Sequence, residues 1–134
     1  MVAGVCLSVA ARLGVILPDA KAVPLLRHDD FAVRADACRC VVHPERKVIA
    51  VLIDLLDDIH DAVSQSAARA LGRMGRHEAR AILLNMVRQN PDAEAINAIA
   101  RIADEDCIVL LKRIALSDPA LADAVQDALE IISA

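Results

Sequence analysis

The amino-acid sequence predicts an all-α protein: a right-handed α-solenoid of about four short helical hairpins behind an N-terminal capping helix. Three observations carry this. The stretch from Ala62 to Leu84, AVSQSAARALGRMGRHEARAILL, reads as a helix, a break at Gly75 and the start of a second helix. Its apolar residues Val63, Ala67, Ala70, Leu71 and Met74 follow the spacing i, i+4, i+7, i+8, i+11, which is one face of a helix. The same slots recur along the chain: as Leu121, Val125, Ala128, Leu129 and Ile132; as Pro91, Ala95, Ala98, Ile99 and Ile102; and, upstream, as Val33, Ala37, Cys40, Val41 and Pro44. Self-similarity at a period of about 30 residues marks a stacked repeat. Finally, the chain is 57% hydrophobic yet has one Phe and no Trp or Tyr, so its core must be built from Ala, Leu, Ile and Val. Small side chains suit close helix packing, and the scarcity of glycine and of alternating β-branched runs argues against a sheet.

Residues 2–16 read as the first helix, with Val5, Val9, Leu13 and Ile16 apolar. Arg12 stands where later copies have Cys40, Ala70, Ala98 and Ala128. A charged side chain cannot replace a buried alanine cheaply, so that slot is expected to face water, as the cap of a solenoid requires. The apolar N-terminus is expected to be part of the repeat rather than a secretory leader: it lacks a basic start, Arg12 interrupts it, and LGVILPDAKAVPLL from Leu13 aligns without gaps on LGRMGRHEARAILL from Leu71. Leu17-Pro18-Asp19 ends the helix. A short helix at about 20–28 turns Val23, Leu25 and Leu26 inward, with Pro24 placed in its first turn. His28-Asp29-Asp30 makes the turn into a helix at about 31–42, which His43-Pro44 closes. The helix at about 45–57 buries Val48, Leu52, Leu55 and Leu56, and Asp57 to Asp61 turns into the helix at about 62–74. Helices at about 77–89 (Ile82, Leu83, Met86, Val87), 91–103, 105–116 and 119–133 complete the chain. Asn90-Pro91 and Asp118-Pro119 both read as an N-cap followed by proline at the first helical position. The outcome is a lone helix and four hairpins in one domain, 1–134, with alternate helices forming two layers.

This pattern resembles HEAT repeats, specifically the short type named after phycobilisome lyases. Three stretches carry the resemblance: Ala22 to Val41, Val51 to Gly75 and Ile108 to Ile132. They look like an apolar first helix, an acidic turn, then Val-Arg and an Ala-Ala-x-Ala-Leu-Gly second helix. The Val-Arg pair survives only at Val33-Arg34, the Leu-Gly pair at Leu71-Gly72 and Leu13-Gly14, and the third hairpin has drifted most. The resemblance implies a binding scaffold whose second helices line the concave face. It is nearly silent on the partner, because one fold hosts unrelated functions.

Charge and motifs narrow the function classes. Fifteen basic and 19 acidic residues leave a net charge of −4, interspersed rather than in blocks. Such a chain has no overall attraction to nucleic acid or anionic membrane, and no apolar run is long enough to span a bilayer. Cys38-x-Cys40 is not a zinc spacing, and with Cys6 and Cys107 it reads as small buried thiols in a reducing cytoplasm. His28 and His60 fall in turns on one rim and His43 and His77 near the other, the members of a pair about 10 Å apart, too far to share one metal ion. His77-Glu78 resembles the His-Glu pairs of deoxyhypusine hydroxylase, a di-iron HEAT-repeat enzyme, but it occurs once and at a repeat junction. No cofactor and no catalytic site is expected. The reading is a non-catalytic protein-interaction scaffold; the alternative, an enzyme or enzyme-associated subunit of the lyase-like group, follows from the family name alone.

Superposing the second helices gives the expected partner-binding set Arg39, Ser66, Arg69, Arg73, Asn97 and Arg101, flanked by Asp36 and Glu94. These residues suit an acidic or polar peptide held by charge-assisted hydrogen bonds. They equally suit a self-satisfied ladder in which Asp36 and Glu94 pair with arginines of neighbouring helices. The last helix keeps Ala128 and adds Ile131 and Ile132 with no polar cap after it, which implies an apolar end through which the chain dimerises or stacks on another protein.

Overall fold

A computed structural model describes residues 19–41 and 45–133, so the helix expected at 2–16 and the His43-Pro44 break lie outside the described residues. Eight α-helices and no strand occur among those described. They are α1 (Asp19–Leu26), α2 (Phe31–Cys40), α3 (Arg46–Leu55), α4 (Asp61–Arg73), α5 (Arg80–Gln89), α6 (Ala93–Ala100), α7 (Glu105–Ser117) and α8 (Ala122–Ser133). Single 3₁₀ turns, His77–Ala79 and Pro119–Leu121, lead into α5 and α8. The chain forms two compact units, the first ending at Ala70 and the second beginning at Leu71, inside α4. In the first, α1 packs on α2 and on α3. In the second, α5 packs on α6, and α8 packs on both α6 and α7.

The repeat slots are the core. Val33, Ala37, Cys40 and Val41 of the first unit, with Val63, Ala67 and Ala70, are at most 2% exposed. In the second unit Leu71, Ala95, Ala98, Ile99 and Ile102 are at most 3% exposed, as are Val125 and Ala128. Half of these are alanine or cysteine, which lets helix backbones approach closely. The approach is closest at Gly72, where an added Cβ would lie 2.7 Å from Leu83 Cδ1 and 3.0 Å from Ala98 Cβ. Leu129, Ile131 and Ile132 are only half-buried.

Helix ends are set by short-range chemistry. Gly75, at φ +76°, terminates α4 in the left-handed region that side chains avoid. The Arg76 N–H then donates to the Leu71 carbonyl at 3.0 Å and the Gly75 N–H to the Gly72 carbonyl at 3.0 Å, the paired bonds of a Schellman motif. Helix starts rely on aspartate. Carboxylates of Asp30, Asp92, Asp104 and Asp118 accept from the backbone N–H groups of Ala32, Ala95, Cys107 and Ala120 at 2.8, 2.7, 3.2 and 3.1 Å.

Three expectations are corrected here. Asn90 is not the N-cap of α6; Asp92 caps it two residues later, and Asn90 ends α5, because a carboxylate reaching the Ala95 N–H satisfies the helix start directly. Pro24 lies inside α1 rather than in its first turn, and its ring tolerates the interior position on an exposed side of a helix only eight residues long. Inward positions of α1 are Ala22 and Leu26, both fully buried, one turn apart at i and i+4, while Val23 and Leu25 flank that line and are half-buried.

Cys38, Cys40 and Cys107 are buried and form no disulfide, and burial pushes the Cys40 and Cys107 thiols up. Only the thiolate reacts. Mass-resolved alkylation is therefore expected to modify these three slowly in the native protein and rapidly in denaturant. Equal rates in both conditions at Cys107 would contradict the packing of α7.

Candidate functional site

In the first unit the expected binding residues separate. Arg39 is exposed at the end of α2, its Nη1 3.5 Å from Asp36 Oδ1 one turn earlier on the same helix. Ser66 is 8% exposed, so it has almost no surface to offer a partner. Its slot lies outside the apolar stripe, and the stripe alone did not reveal that α4 is covered on more than one side: Ser64 and Ala68 are buried too. Arg69 is half-buried and already engaged.

In the second unit Arg73 and α6 supply the rest. Arg73 Nη1 lies 3.3 Å from Glu94 Oε1, tying the end of α4 to the first turn of α6. Both side chains are well exposed, at 38% and 50%, so the pair contributes about 0–1 kcal/mol and is readily exchanged. Asn97 of α6 and Arg101, the C-cap of that helix, are exposed four residues apart. The self-satisfied ladder thus exists in part: Glu94 meets an arginine of a neighbouring helix, whereas Asp36 meets one of its own.

Stronger electrostatics sit in the turns. Arg34 of α2 grips Asp58, in the turn between α3 and α4, with both prongs of its guanidinium: Nε to Oδ2 at 3.0 Å and Nη2 to Oδ1 at 3.3 Å. Its Nη1 donates to the carbonyls of His28 and Asp29 at 2.7 and 3.0 Å. One side chain therefore joins two successive turns. Burial pushes the Asp58 carboxyl up, but the His60 backbone N–H and then the Arg34 guanidinium outweigh it and hold the group below the usual carboxylate range. Phe31 is 44% exposed and stacks on the His60 ring in that same turn, 4.4 Å between centroids. In the second unit Arg80 meets Asp104 across the same sequence separation of 24 residues.

The other described histidines, His28 and His77, do not assemble a site. His28 Nδ1 accepts the Asp30 backbone N–H at 3.0 Å. His77 is exposed, and its neighbour Glu78 is held below the usual carboxylate range by its own backbone N–H and by Arg76, 2.6 Å away. Among the described residues no three His, Cys, Asp or Glu side chains converge. No helix among them is long and apolar enough to cross a membrane.

Sequence reading gave no hint of a groove on the first-helix side of the second unit. Val87 and Arg88 of α5, Pro91, Asp118, and Leu110, Arg113, Ile114 and Ser117 of α7 enclose about 420 Å³. Its residues come from two helices 20 or more positions apart, and no local pattern announces such a pairing.

No curated protein and no solved structure matches the chain. The family model for HEAT repeats matches residues 20–94, from the start of α1 into the first turn of α6. That segment is more than half of the 134 residues, and it holds the stacked hairpins, the Arg34-bearing helix and the Leu71-Gly72 contact. The chain belongs to the HEAT-repeat family.

Proposed function

We infer that this protein is a non-catalytic interaction module that holds a partner protein on the faces of its second helices. HEAT repeats generally mediate protein–protein interaction, which supports the class of function. The observation that supports the surface is the exposed row Arg73, Asn97 and Arg101 in the second unit, where an exchangeable ion pair joins Arg73 to Glu94. A carboxylate of an incoming peptide can take the place of Glu94 on Arg73 at little cost, and Arg101 adds a second guanidinium. Arg39 offers a similar exposed cation in the first unit. Partners of acidic or polar character fit these groups, and the buried thiols accord with a cytoplasmic protein.

Affinity capture from the source cell with wild type and an Arg73→Glu/Arg101→Glu variant tests the surface. Both residues are exposed, so the variant is expected to keep the wild-type unfolding midpoint within about 0.5 kcal/mol. Loss of specific partners is the expected result. Recovery of the same partners at the same yield would remove the second-helix face from consideration.

A further inference from the structure

The groove between α5 and α7 combines an apolar floor with cations that no described residue neutralises. In the first unit the corresponding first helices, α1 and α3, pack directly on each other. In the second, α5 and α7 leave about 420 Å³ between their C-terminal halves. Val87 (1% exposed) and Ile114 (8% exposed) form the floor together with Leu110.

Arg88 and Arg113 share this groove, and neither guanidinium makes an ion pair or hydrogen bond among the described residues. Six other arginines, Arg27, Arg34, Arg39, Arg73, Arg76 and Arg80, each lie against a carboxylate. The single acid in the lining, Asp118, already uses Oδ1 to accept the Ala120 N–H at the start of the next turn. Two like charges facing one recess repel each other, and an anionic group placed between them removes the repulsion and gains two charge-assisted hydrogen bonds.

The surface continues past the groove. On the outer side of α7, Val109 and Leu116 are 58% and 86% exposed, seven residues apart and hence on one stripe, beside Arg113 and the exposed Lys112. An apolar stripe bordered by cations is longer than a small anion needs. It matches a peptide helix with one apolar and one acidic face.

We propose that the α5–α7 groove docks an acidic amphipathic segment of a partner protein, one apolar side chain resting on Val87, Leu110 and Ile114 and its carboxylates meeting Arg88 and Arg113. This site lies on the first helices and stands whether or not the second-helix face binds anything.

A random-peptide phage library selected on the purified protein provides the test. Recovered peptides are synthesised with a fluorescent label and titrated into wild type, Arg88→Glu/Arg113→Glu, Leu110→Asp and Arg73→Glu/Arg101→Glu. Enriched peptides are expected to be acid-rich with at least one large apolar residue. Their affinity should fall about tenfold or more in the first two variants, weaken as salt is raised, and stay unchanged in the third. Circular dichroism of the Arg88→Glu/Arg113→Glu protein separates loss of the site from loss of the fold, since both arginines are exposed. Enrichment without acidic bias, or equal affinity for wild type and the Arg88/Arg113 variant, overturns the proposal. So does self-association in sedimentation equilibrium that disappears in that variant, which would assign the groove to a second copy of the chain.

Discussion

Replacing Gly72 with leucine is expected to destabilise the second unit by about 3 kcal/mol, whereas alanine at Gly75 costs about 1 kcal/mol. The two glycines sit three residues apart and serve different ends. At Gly72 a Cβ would meet the Leu83 side chain at 2.7 Å and the Ala98 Cβ and carbonyl oxygen at 3.0 and 3.3 Å. Leu83 is fully buried, so its methyl has little free space to turn into, and Ala98 belongs to a helix backbone that must move as a body. A larger side chain at this point forces α5 and α6 away from α4. The milder Gly72→Ala loses about 1–2 kcal/mol, because improved helix propensity returns up to about 1 kcal/mol of the overpacking cost. At Gly75 nothing lies within 4 Å of a built Cβ, and the whole penalty is the positive φ. Urea unfolding of the four proteins measures this order, with the slope checking that the unfolded state is unchanged. A Gly72→Leu midpoint close to wild type would mean that the three-helix contact is not formed. Leu83→Ala, about 2–5 kcal/mol by itself, should cost less when introduced beside Gly72→Ala, since the added methyl occupies part of the space that Leu83 leaves.

Loss of Arg34 is the second large effect. Arg34→Ala removes four hydrogen bonds and leaves a 10%-exposed carboxylate at Asp58 without its cation, for an expected loss of about 3 kcal/mol. Arg34→Lys should recover little of this, because an ammonium cannot span Asp58 and two backbone carbonyls at once. The same pair sets a pH dependence whose sign follows from the lowered Asp58 value. A carboxyl held lower in the folded than in the unfolded chain binds fewer protons when folded. Its contribution is therefore complete above the unfolded value of about 3.9 and is lost as pH falls through the folded value. Wild type should thus lose stability below about pH 4 more steeply than Asp58→Asn, which starts lower and is flatter. Parallel curves for the two proteins would show that Asp58 plays no part in acid unfolding.

Much of the architecture could be read without coordinates, and the reason is periodicity. Val63, Ala67, Ala70 and Leu71 recur at fixed spacing, so each copy reports on the others, and most of the corresponding slots are buried, while Met74, Pro91 and Leu121 at the ends of the stripe are half-buried. Gly75 was equally legible, because a lone glycine between two apolar stripes has one common use. Helix starts were less so. Aspartates at 30, 92 and 104 cap helices, yet aspartate is also common in solvated turns, and the proline signal at Asn90-Pro91 drew attention two residues too early. Positions off the stripe were least legible: Ser66 was placed among the partner-binding residues and is buried.

The sequence by itself determined the helices, their order and the residues that form the core, because these depend on local spacing of apolar side chains. Tertiary structure decided which charges are spoken for. Arg34 and Asp58 are 24 residues apart and become a buried fork only when successive turns come together, while Arg88 and Arg113, unremarked in the sequence, come to share one groove. Ion pairing and groove formation depend on distances between helices, and those are set by how small the residues at each crossing are: a glycine at 72 against Ala98 brings three helices into contact, and the space between α5 and α7 opens where no such crossing draws them together.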